Sequence, residues 1–89
     1  MNGLIAEHRY APAGPRRAPL MLTLLRVGPL ELAVLTALWD SGRPLTIREI
    51  RDQLSYPRWL SYTAVAEALN GLLCKRQVTR TPHRRHTWY

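Results

Sequence analysis

Prolines divide this chain before anything else does. Pro29, Pro44, Pro57 and Pro82 mark starts, stops and connectors along residues 28–89, because a proline inside a helix removes a backbone donor and clashes with the preceding turn. Pro12, Pro15 and Pro19, with Gly3 and Gly14 and no apolar periodicity, predict that residues 1–19 form neither a helix nor a sheet ladder. They read as a tail, and residues 1–26 together as a flexible basic extension.

Between the prolines the apolar residues keep helical spacing. Pro29 suits the first turn of a helix, where its missing N–H costs nothing. Leu30, Val34, Leu35, Leu38 and Trp39 then recur at three- and four-residue intervals until Ser41-Gly42 supplies a stop. Trp39 at the end of that stripe reads as a core anchor. Thr46-Ile47-Arg48-Glu49 forms a capping box that opens a second helix. Ile47, Ile50 and Leu54 line its inner face, Arg48, Arg51 and Asp52 its outer face, and it stops before Pro57. A third helix is expected over 61–75, with Ser61 as its N-cap and Val65, Leu69, Leu72 and Leu73 as its buried stripe. Thr63, Ala66, Glu67 and Asn70 lie on the opposite face. The last segment reads as two short strands, 78–81 and 86–89, joined through Pro82-His83-Arg84-Arg85. The expected fold class is mainly α with a small β-hairpin: three helices plus a basic wing, a winged helix-turn-helix over residues 27–89.

Charge narrows the function classes. The 89 residues carry a formal +7, and twelve of the thirteen bases are arginine, whose guanidinium fork grips phosphate oxygens in two places. Residues 1–26 hold +3, residues 27–60 are balanced and residues 61–89 hold +4. A surplus of this kind also serves solubility alone, so the pattern has to decide. On a winged helix the third helix enters the major groove of double-stranded DNA and the wing lies along its backbone. Thr63, Ala66, Glu67 and Asn70 would then face bases, while Ser61, Tyr62, Arg80, Arg84 and Arg85 would hold phosphates. The bland alternative for the same face is an ordinary solvated helix. Gly14-Pro15-Arg16-Arg17 reads as a solvated leader, with an arm reaching toward a DNA groove as the rarer alternative.

Other classes fit poorly. The apolar stretch at residues 20–25 is far short of a bilayer span, and the N-terminus lacks the pattern of a signal peptide, so a cytoplasmic protein is expected. His8, His83 and His86 have no acid or nucleophile placed to work with them, which argues against an enzyme. Cys74 with His83 and His86 matches no zinc spacing, so neither a metal nor another cofactor is expected. Cys74 itself reads as a partly buried small apolar residue.

Several of these segments together resemble the DNA-binding domain of the BlaI/MecI/CopY family of penicillinase-type repressors. Gly28-Pro29-Leu30-Glu31-Leu32 with Val34-Leu35 and Leu38-Trp39 is similar to the family's first helix, and Pro44-Leu45-Thr46-Ile47-Arg48-Glu49-Ile50 to its second. Leu60-Ser61-Tyr62-Thr63-Ala64-Val65 with Leu69-Asn70 and Leu72 resembles its recognition helix. Val78-Thr79-Arg80, Arg85 and Trp88-Tyr89 resemble its wing strands. The resemblance implies a sequence-specific transcriptional regulator, a repressor that occupies promoter DNA. Three positions depart from the pattern: Arg76 where a glycine is usual, Gly71 where a base is common and Glu67 where a hydroxyl is common. Arg76 is thereby expected to carry a positive φ. The family's dimerising segment would follow the wing, so a monomer is expected here, with pairing through residues 20–25 or through a second chain as the alternative. The competing functional reading is a winged-helix interaction module that binds another regulator instead of DNA.

Overall fold

The structure, a computed structural model, describes residues 7–16, 18–54 and 60–83. Six elements follow in order: β1 (Glu7–Pro12), α1 (Pro19–Leu24), α2 (Pro29–Ser41), α3 (Ile47–Leu54), α4 (Tyr62–Cys74) and β2 (Val78–His83). The three helices read from the sequence are α2, α3 and α4. Each begins for a local reason. Glu31 accepts a hydrogen bond from the Gly28 N–H at 3.0 Å across the first turn of α2, and Gly42 ends that helix at φ 69 in the left-handed region. The capping box at α3 is complete: the Thr46 N–H donates to Glu49 Oε1 at 2.9 Å, and the Glu49 N–H donates to Thr46 Oγ1 at 3.2 Å. Ser61 caps α4 by accepting from the Ala64 N–H at 3.0 Å.

The core is the meeting of these three helices. Val34, Leu35 and Leu38 from α2, Ile50 from α3, and Val65, Leu69 and Leu72 from α4 are fully buried, each worth about 1.5–3 kcal/mol relative to exposure. Leu30, Trp39, Ile47, Leu54 and Leu73 pack against them from partly exposed positions. Leu45, Val78 from β2, Tyr10 from β1 and Leu22 from α1 close the cluster.

The sheet departs from the sequence reading. Residues 7–12 do form a ladder: β1 pairs antiparallel with β2, from Glu7 opposite His83 to Pro12 opposite Val78. On its other edge Tyr10 forms a bridge with Leu45, donating to the Leu45 carbonyl at 2.8 Å and accepting from the Leu45 N–H at 2.9 Å. Among the described residues β1 thus lies between β2 and the single Leu45 bridge. Pro12, Pro15 and Pro19 do not prevent this, because Pro12 sits at the strand's last position and the other two lie beyond it. The expected strand at 78–81 is present as β2, but its partner among the described residues is β1. Residues 86–89, the expected return strand, lie outside the described residues. The fold class nonetheless holds: a mainly helical domain with a small antiparallel sheet in the winged-helix arrangement.

Residues 20–25 behave as two faces. Leu22 is buried and Leu25 packs on the core, whereas Leu20 and Leu24 are 71% and 70% exposed. Arg16 is no free arm: it pairs with Asp40 and lies over the Trp39 ring at 5.4 Å from its centroid. The Trp39 indole N–H donates to the Gly14 carbonyl at 3.1 Å. Trp39 is therefore a lid post for the 13–16 segment as well as a core neighbour.

Candidate nucleic-acid interface

α4 owes its orientation to its inner face. With Val65, Ala68, Leu69 and Leu72 buried, the helix cannot roll, and the residues between them are fixed outward. Thr63, Glu67 and Asn70 are exposed, Ala66 is half-buried and Tyr62 is 51% exposed. At 1.5 Å per residue, Thr63 to Asn70 spans about 10 Å along one side, the scale of a major-groove contact. Ser61 is exposed too, but its hydroxyl is already engaged as the cap of α4. These side chains carry hydrogen-bonding groups of both kinds, and Glu67 puts one acid among them.

Cys74 corrects the sequence reading. It is exposed, because four residues after Asn70 it falls on the outer face with Thr63 and Glu67, away from the Leu69 and Leu72 stripe. Arg80 on β2 is exposed and stands opposite Tyr10 in the ladder. Cross-strand partners share a face of the sheet, so Arg80 projects from the side that Tyr10 packs into the core. Arg84 and Arg85 lie outside the described residues.

Lys75 shows what sequence reasoning missed. Its ammonium donates to Glu31 Oε1 at 2.5 Å and to the Arg26 carbonyl at 2.7 Å. It ties the end of α4 to the start of α2, so the chain's single lysine is engaged within the fold. The side chains of Glu31 and Lys75 are only 16% and 30% exposed. Burial pushes the Glu31 carboxyl up, but the bonds from Lys75 and from the Gly28 N–H, with the Lys75 charge, outweigh it and hold Glu31 below its usual range. Gly71 makes this arrangement possible, since a Cβ there would overlap the Glu31 carboxylate. Glycine at position 71 is thus explained by packing. Arg76, as expected, has a positive φ of 59, held by its N–H to the Leu73 carbonyl at 3.0 Å and by the Gln77 N–H to the Leu72 carbonyl at 2.8 Å. A clue to the pair existed in the sequence only as a glutamate early in one helix and a lysine late in another.

Among the described residues no cluster of His, Cys, Asp and Glu is arranged to hold a metal ion, and no helix is long and apolar enough to cross a membrane.

Comparison with known proteins gives the site its context. The protein called Transcriptional regulator BlaI of Mycobacterium tuberculosis, in strains CDC 1551 / Oshkosh and ATCC 25618 / H37Rv, is 41% identical over 58 residues. That stretch is 65% of this chain and 42% of the relative, so the match spans less than half the relative's length. No solved structure matches. The family described as penicillinase repressor matches residues 27–89, which take in α2, α3, α4 and β2 but neither β1 nor α1. With more than half of its length inside that match, the chain belongs to the penicillinase repressor family.

Proposed function

We propose that this chain binds duplex DNA through the outer face of α4 and represses transcription by occupying its site. The observation that carries the reading is the side-chain division on α4: Val65, Ala68, Leu69 and Leu72 are buried in the core, while Tyr62, Thr63, Glu67 and Asn70 stand exposed. Thr63, Ala66, Glu67 and Asn70 face bases in this reading. Ser61, Tyr62, Arg80, Arg84 and Arg85 hold the backbone, the serine through its main chain because its hydroxyl caps the helix. Arginine supplies the phosphate contacts, since Lys75 is engaged with Glu31. Glu67 is compatible with a groove only where it accepts from a cytosine amino group. The M. tuberculosis relatives' name as transcriptional regulators supports the same reading.

The test is binding to duplex DNA across a salt series. Neutralising about three to five phosphates gives a slope of log affinity against log salt of roughly −3 to −4.5. A flat response, or no binding in low salt, refutes the proposal and favours a module that binds another regulator.

A further inference from the structure

Three of the four large apolar side chains that stand exposed among the described residues lie on one short helix. Leu20 and Leu24 of α1 are 71% and 70% exposed and Met21 is 47% exposed; the fourth is Tyr62, on the outer face of α4. Leu20 and Leu24 are about one helical turn apart and Met21 flanks them, so the three share a side. Leu22, 2% exposed, and Leu25, packed on the core, hold the other side. The helix cannot turn Leu20 and Leu24 inward without withdrawing Leu22. Its end is fixed as well, since the Val27 N–H donates to the Leu22 carbonyl at 3.1 Å and Lys75 donates to the Arg26 carbonyl at 2.7 Å.

Charge selects what can cover this face. Residues 18–25 carry no charged side chain in a chain of +7. Arg16 before them is paired with Asp40, and Lys75 beside their end with Glu31. A partner recognised by charge finds little to hold here. A second copy brings the same apolar patch, and an uncharged stretch is where two strongly basic chains can approach. With the twofold axis across the two helices, they run antiparallel and Leu20 of each copy meets Leu24 of the other. The two Arg26 residues then lie at opposite ends, about 12 Å apart along the helix axis, beyond the screening length of about 8 Å at physiological salt. Three side chains per copy fall far short of the roughly 20–30 residues per side in a stable interface. The family match begins at residue 27 and leaves α1 out.

We propose that the Leu20, Met21 and Leu24 face of α1 is a self-association surface, on which a second copy of this chain docks through the same three residues. A contact this small gives a dissociation constant between about 0.1 and 1 mM. It acts between copies already held close, where effective concentrations reach about the millimolar range. The contact does not depend on DNA binding and answers salt in the opposite sense: screening the repulsion between copies tightens the pair, whereas salt weakens binding to phosphates.

Diffusion and methyl NMR on the full chain without DNA test it. At about 1 mM at least a third of the chains should be paired, with the methyl shifts of Leu20, Met21 and Leu24 moving with concentration and those of Leu22 unchanged. Between about 0.05 and 0.5 M salt the dissociation constant should fall at least twofold. Leu20→Glu with Leu24→Glu, and Leu20→Lys with Leu24→Lys, alter only exposed side chains, so each double variant alone should be folded and monomeric, and an equal mixture of the two should pair. An unmodified chain still monomeric at about 1 mM overturns the proposal. So does pairing that weakens with salt, pairing that survives in either double variant alone, or a mixture that does not pair.

Discussion

Replacing Gly71 by alanine should destabilise this protein, although the same change in most helices does the reverse. In a helix interior Gly→Ala is worth about 1 kcal/mol of stability. Here the new Cβ would overlap Glu31 Oε2, and Cδ of the same carboxylate would stand only 3.2 Å away, so rotating the carboxylate in place does not clear it. Glu31 must shift, which loosens the bonds its Oε1 accepts from Lys75 and from the Gly28 N–H. Hydrogen bonds to charged groups contribute about 1.5–3 kcal/mol, and with little of either side chain exposed, water restores only part of that. The expected balance is a net loss of about 1–2 kcal/mol, read as a lower urea midpoint at unchanged m-value. For a domain of this size the melting temperature should fall by about 5–10 °C. The decisive comparison is the same substitution in a Glu31→Ala background, where no carboxylate stands in the way and alanine should stabilise by about 0.5–1 kcal/mol. The sign change between backgrounds, a coupling of about 2 kcal/mol, lies far outside ordinary non-additivity of about 0.3–0.5 kcal/mol. Equal effects of Gly71→Ala in both backgrounds would refute the reasoning.

Glu31 also sets a pH response. Its folded pKa lies below the ordinary 4.5, so its contribution is complete above the unfolded value and is lost as pH falls through the folded one; urea midpoints measured from pH 6 to pH 3 should drop less steeply in Glu31→Gln. Glu49 follows the same sign, held low chiefly by the Thr46 N–H and opposed by burial. Arg80→Ala should weaken binding to all DNA sequences alike and reduce the salt slope by about one, measured by titration at several salt concentrations. Asn70→Ala should relax preference at one base pair in a substitution scan of a selected site, at a cost of about 1–3 kcal/mol of discrimination; a uniform loss across the site would make Asn70 a backbone contact.

Local signals in the sequence survived folding intact, and long-range ones did not exist to be read. Thr46 and Glu49 are three residues apart and cap α3 as their spacing dictates; Ser61 and Gly42 mark helix ends for equally local reasons. The buried stripe of α4 follows from the 3.6-residue period, and so does the exposure of Thr63, Glu67 and Asn70. Cys74 obeyed that period too, and a helical projection places it on the outer face. β1 is different. Among its described side chains only Tyr10 enters the core, the segment has no apolar alternation, and its order comes from β2 and the Leu45 bridge on either side of it. The pairing of Glu31 with Lys75 likewise depends on how α2 crosses α4, and on the absence of a side chain at Gly71.

The position of β1 has a consequence for how the protein is made. Among the described residues β1 pairs with β2, Glu7 lying opposite His83, and α1, α2, α3 and α4 are synthesised between the two strands. At about 5–20 residues per second, the ends of β1 and its ladder partner are separated by several seconds of translation. Through that interval α2, α3 and α4 can nucleate on local contacts, while β1 has only its bridge to Leu45 until the chain behind them has emerged. Closing the sheet is then the step of highest contact order and the slowest. A polysome-bound chain is at that stage a helical subdomain whose β1 still lacks its ladder partner, and that bare strand edge is where chaperones, or neighbouring nascent copies, would first engage it.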